Sequence, residues 1–161
     1  MKFYILLISL LLSACSVLPP VFNDARIKEI SYAQALEHAE VHTDTMVRWG
    51  GVIIGLENAE QQDMLQVLFH PLDSYGRPDV DKPSEGYFLV SSPEPLDQEQ
   101  YIEGREIVVV GILAGKTEPL TKYGGAELPL IKATGIHLWA VVYRNNYYWH
   151  CPSCYFQQLY W

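Results

Sequence analysis

Cysteine is scarce in this chain: 161 residues hold three, Cys15, Cys151 and Cys154. A small fold framed by disulfides is thereby excluded, and the chain is long enough to bury a core without them. Cations are also few, 11 Lys+Arg against 19 Asp+Glu. They form no basic run, so nothing here suits a phosphate backbone, and nucleic acid is not an expected partner. There is no second apolar stretch long enough to span a bilayer. The sequence lacks a Walker A loop, an H-E-x-x-H helix, a dinucleotide fingerprint and a G-x-S-x-G elbow. Asp79 and Asp81 make a D-x-D pair, but the remainder of a calcium loop is missing. No catalytic, cofactor-binding or metal-ligating set emerges, and no enzyme is expected.

The N-terminus is rich where the rest is poor. Lys2 precedes a largely apolar run from Phe3 to Leu12, which ends in Ser13-Ala14-Cys15. A positive start, an apolar middle and small residues before a cut are the parts of a secretory signal. The run is shorter than the about 20 residues of a spanning helix, and Pro19-Pro20 blocks its extension. The cysteine at the cut resembles the lipobox of bacterial lipoproteins. That resemblance implies cleavage before Cys15 and acylation there, with outer-membrane lipid as the partner of the anchor. Ser16 is not the Asp that retains such proteins at the inner membrane, so the outer membrane is the implied destination. Without residues 1–14, 147 residues remain (161 less 14), with 10 Lys+Arg (11 less Lys2) against 19 acidic residues, a formal charge of −9.

Four segments follow: residues 1–14 as signal peptide, 15–30 as a lipidated tether stiffened by Pro19-Pro20, 31–143 as one folded domain, and 144–161 as an aromatic tail. Ser31 to Glu40 predicts a short helix. Ser31 and Gln34 have capping-box spacing, and Tyr32, Leu36 and Ala39 share a face. From Met46 the period shortens. Strands are predicted at Met46–Leu56, with Gly50-Gly51 and Gly55 as bends, at Met64–Leu72, Gly86–Ser91 and Glu106–Ala114, and at Leu130–Tyr143 with a break near Gly135. A helical turn between Pro93 and Gly104 would start at Asp97. Five strands with a helical turn between the third and fourth predict a mainly β fold. The expected form is a small five-stranded OB-like Greek-key barrel with one or two short helices. Another small antiparallel barrel or sandwich is the alternative.

Short strings then accumulate in order: Val47-Arg48-Trp49-Gly50-Gly51, Pro71-Leu72-Asp73, Gly76-Arg77-Pro78, Gly86-Tyr87-Phe88-Leu89, Leu96-Asp97, Tyr101, Gly104-Arg105 and His137-Leu138-Trp139. With the lipobox they resemble the Slp family of outer-membrane lipoproteins, named for induction by starvation. The resemblance implies an outer-membrane, periplasm-facing lipoprotein with a stress-associated role and no established enzymatic chemistry. Tyr87 departs from the pattern, where a basic residue is expected. So does Leu128-Pro129-Leu130-Ile131, where a more aromatic string is usual.

Five constellations remain. Arg48, Trp49 and Tyr87 are candidates for a ligand face, since OB barrels stack ligands on exposed aromatics; Trp49 capping the barrel is the plainer alternative. Arg48 and Arg105 are expected to pair with Asp73 or Asp97. His70, Asp73 and Ser74 have the residue types of a hydrolase triad but share one loop, and a triad is a matter of geometry. Cys151-Pro152-Ser153-Cys154 reads first as a disulfide clip, whose short loop makes its stabilising effect modest. A redox pair, a metal site with His150 and free thiols stay open. The tail carries Tyr147, Tyr148, Trp149, Tyr155, Phe156, Tyr160 and Trp161. Such side chains suit packing over the barrel, a membrane contact, or docking of an envelope protein or peptidoglycan. A small-molecule or glycan-binding module is the alternative function.

Overall fold

The computed structural model describes residues 18–58, 62–117 and 125–141. Cys15, Cys151, Cys154 and the aromatic tail lie outside the described residues. Five strands, β1 (Met46–Asn58), β2 (Asp63–His70), β3 (Gly86–Ser92), β4 (Glu106–Lys116) and β5 (Pro129–Leu138), close a barrel in the order β1-β2-β3-β5-β4. The fold is therefore mainly β, as the sequence predicts, and the strand order is compatible with an OB-type barrel. Neighbours are antiparallel except β3 and β5, which run parallel.

Period-two alternation fills the barrel. Leu65, Val67 and Phe69 of β2 point inward, meeting Phe88 and Val90 of β3 and Ile107, Val109 and Leu113 of β4. Val108 and Val110 break the alternation, being fully buried as well. They pack outside the barrel in a second cluster with Leu18, Phe22 and Trp139. A strand buried on both faces reads as a continuous apolar run, which accounts for the uninterrupted valines. Gly51 lets β1 and β2 approach closely, since a Cβ there would lie 2.1 Å from the Leu68 carbonyl oxygen. Thr134 is the extra residue of a bulge in β5, beside the break foreseen at Gly135. β5 stops at Leu138 rather than Tyr143, and the Trp139 N–H turns to donate to the Glu106 carbonyl at 2.9 Å.

The N-terminal helix forms as its cap dictates. The Ser31 hydroxyl accepts the Gln34 N–H, and the Gln34 side chain accepts the Ser31 N–H at 2.9 Å, so α1 (Tyr32–Glu37) begins with a capping box. Its buried face holds Tyr32 and Ala35, with Leu36 partly covered. Ala39 falls off that face because the chain kinks at His38 (φ −126°, ψ 42°) before α2 (Ala39–His42). Between β3 and β4 no helix forms. Asp97 instead caps one turn: its carbonyl accepts the Tyr101 N–H at 2.9 Å and its carboxylate the Glu99 N–H at 2.9 Å. The Gln100 side chain, which donates to the same carboxylate at 2.7 Å, and then the Glu99 backbone N–H hold the Asp97 carboxyl below its ordinary range.

Residues 18–30, within the expected tether, pack against the barrel through Leu18, Phe22, Ile27 and Ile30. Pro20–Asn23 forms a 3-10 turn that Pro20 starts, and Phe22, 2% exposed, sits against Val108 and Val110. Apolar side chains at Leu18, Phe22, Ile27 and Ile30 give this stretch a face to bury.

Candidate functional site

One end of β1 carries an open groove of about 450 Å³. The segment Ile27–Gln34 forms one wall and residues 69–73 the other, with Arg48, Trp49 and Gly50 between them and Glu85 at the edge. Among the described residues, no group of His, Cys, Asp and Glu is placed to hold a metal, and no helix is long and apolar enough to cross a membrane.

The three candidate ligand-face residues separate. Trp49 is 3% exposed, and its ring packs edge-on against Phe69 and Phe88 at 5.2 and 5.4 Å between centroids. Its indole N–H donates to the Ile30 carbonyl at 2.8 Å. Of the two readings of Trp49, its burial fits the plainer one, a core residue that ties the N-terminal segment to the barrel, because its inward position in β1 buries it. Arg48, next along the strand, faces outward and donates to the Phe22 carbonyl at 2.9 Å. Tyr87 is 39% exposed on β3 and does not line the groove.

The other constellations also resolve into structural work. Arg105 does not pair with Asp73 or Asp97; it donates to the Trp139 carbonyl at 3.1 Å and the Gln100 carbonyl at 3.3 Å. Asp73 accepts the N–H groups of Tyr75 and Arg77 at 2.8 and 2.9 Å, which fixes the loop after β2. His70 Nδ1 lies 3.2 Å from the Lys82 carbonyl oxygen. No contact brings His70, Asp73 and Ser74 into a relay.

Three residues of consequence were not among the site candidates read from the sequence. Arg77 pairs with Glu106 and lies 5.6 Å over the Trp139 ring, so one guanidinium joins the β2–β3 loop, β4 and the end of β5. Glu85 lines the groove from outside any motif. Tyr32 is the third: its hydroxyl reaches β3 and bonds the Tyr87 backbone. The helical spacing placed Tyr32 on a shared face, but nothing local pointed to β3 as its partner.

Comparison with known proteins extends the resemblance over nearly the whole chain. The model of the outer membrane lipoprotein Slp family matches residues 12–161, a span that includes Cys15, Cys151 and Cys154. Outer membrane protein Slp of Escherichia coli (strain K12) is 25% identical over 137 residues, covering 84% of this chain and 72% of its own length. Uncharacterized lipoprotein YeaY of the same strain is 22% identical over 132 residues, covering 81% of this chain and 68% of its own. This chain belongs to the outer membrane lipoprotein Slp family.

Proposed function

We propose that the protein is attached to the outer membrane through acylated Cys15, faces the periplasm, and serves a stress-associated role by holding an envelope partner, a protein or peptidoglycan, rather than by catalysis. The commitment of the reactive-type side chains carries this view. Asp73 bonds within the loop after β2, His70 at the end of β2 lies against the Lys82 carbonyl of that loop, Arg48 and Arg105 bond carbonyls, and Arg77 and Glu106 bond each other. No nucleophile, base and orienting group converge among the described residues, which is the arrangement that covalent catalysis needs. In-cell crosslinking of the full-length protein tests it. Recovery of a defined envelope protein or peptidoglycan adduct supports the proposal; a profile with neither sinks it.

The groove supports a second role, recognition of a small molecule or glycan fragment. Its volume falls within the range of about 300–1,000 Å³ usual for ligand sites, and its lining mixes Trp49 and Phe69 with Lys28, Glu29 and Glu85. Thermal shift with peptidoglycan fragments tests this, with Glu85→Gln as the control. A melting temperature unmoved by every fragment rejects it.

A further inference from the structure

The spacing between the anchor and the first packed residue fixes how the barrel meets the membrane. This inference rests on acylation of Cys15. Leu18 follows Cys15 by three residues, and three residues reach at most about 11 Å. Leu18 is itself 8% exposed and packs in the second cluster with Phe22, Val108, Val110 and Trp139. Its Cδ1 touches the loop after β2, 2.8 Å from the place a Cβ on Gly76 would take. An anchored chain therefore cannot swing the barrel away on a long leash. The side covered by residues 18–27 and the Gly76 loop is held within a few residues of the lipid.

That side has the chemistry of an interfacial surface. Tyr75, directly before Gly76, is 72% exposed, and Val21 in the 3-10 turn is 39% exposed. Arg77, directly after Gly76, donates to the Ala140 carbonyl at 3.3 Å, which brings in Val141 at 57% exposed. Tyrosine favours the headgroup level, where its ring is half solvated. The chain as a whole is acidic, but the carboxylates here are occupied. Asp24 pairs with Arg26 at 2.7 Å and Glu106 with Arg77, and the charge that Asp73 keeps while accepting two backbone N–H groups is matched by Arg48, which lines the same groove and donates to the Phe22 carbonyl. A neutralised patch can approach anionic headgroups that would repel the rest of the surface.

We infer that this face of the barrel, with Tyr75 and Val141 foremost, lies against the lipid headgroup layer. β3 lies across the ring from β1 and β4, so Tyr87 on its outer face is turned away from the membrane. The groove then opens beside the bilayer, since Leu72 and Asp73 belong both to its wall and to the loop that Leu18 touches.

The test is lipid photocrosslinking. The full-length protein, acylated in a Gram-negative host, carries p-benzoylphenylalanine in place of Tyr75, Val141 or Tyr87. Each form is reconstituted in vesicles of phosphatidylethanolamine and phosphatidylglycerol and irradiated, and intact mass reads both acylation and phospholipid adducts. The expected result is several-fold more adduct at 75 and at 141 than at 87, and the label at 141 keeps the test open if a bulky group at 75 disturbs the loop. An acylated protein with equal adduct at all three positions, or more at 87, overturns the orientation and leaves the anchor standing. An unacylated mass overturns the anchor, and the orientation falls with it.

Discussion

The Tyr32 hydroxyl holds both polar groups of the Tyr87 backbone, donating to the carbonyl at 2.8 Å and accepting the N–H at 3.1 Å. β3 pairs with β5 only from Leu89 onward, so at Tyr87 a helix side chain does what a neighbouring strand would do. Gly86 makes the approach possible: at φ +149° it has no Cβ, and one placed there would lie 2.4 Å from the Tyr32 oxygen. The helix thus closes one end of the barrel by repairing a gap in the sheet.

Tyr32→Phe tests that repair. The ring stays packed at 5.2 Å from Phe69 and 5.9 Å from Trp49, and only the hydroxyl is lost. The Tyr87 carbonyl and N–H then lose the hydroxyl they bond, so denaturant unfolding should show a loss of about 1–3 kcal/mol. A change below a few tenths would mean that water takes the hydroxyl's place.

Alkaline stability should depend on the same residue. Burial raises the Tyr32 hydroxyl above its ordinary value of 10.0, and burial raises Tyr101 in the same direction. The folded state therefore keeps protons that the unfolded chain releases. This contribution is complete below about pH 10 and is lost as pH climbs through the folded-state value. Tyr32→Phe should flatten the decline of stability above pH 10, measured by urea midpoints across that range; an unchanged slope removes Tyr32 as a cause.

Trp49→Phe distinguishes a core residue from a ligand platform. The substitution removes the N–H that the Ile30 carbonyl accepts, leaving that acceptor unpaired at a cost of about 1–3 kcal/mol. Hydrogen exchange should rise in residues 28–32 while strands β2 and β3 keep their protection. Unchanged stability would contradict the buried role.

Much of this was legible locally. The alternation of Leu65, Val67 and Phe69 marked an inward face, and Ser31 with Gln34 marked a helix start. Both are written within a few residues. Trp49 was harder, because its sequence context, beside two glycines and an arginine, is the same whether the ring faces in or out; only its register in β1 decides. Leu18 against Gly76, Arg77 with Glu106, and Tyr32 with Tyr87 join residues far apart in the chain. Periodicity reports the face of one element and says nothing about which distant backbone a side chain will reach. The run Val108–Val110 did carry a signal that something covers the outside of β4, but not that residues 18–27 supply the cover.

Phe22→Ala addresses that cover. Phe22 belongs to a cluster on the outer wall, separate from the cluster inside the barrel. Truncating a buried aromatic costs about 3–5 kcal/mol when the loss is felt by the whole fold. Here the inner core keeps all its members, and Arg48 still donates to the Phe22 carbonyl, so the first effect should be local opening of residues 18–27. Limited proteolysis should cut that segment faster, while amides of β2 and β3 stay protected from exchange. If protection falls equally everywhere, the outer cluster and the barrel unfold as one unit, and the N-terminal segment is part of the barrel's own stability rather than a strap between barrel and anchor.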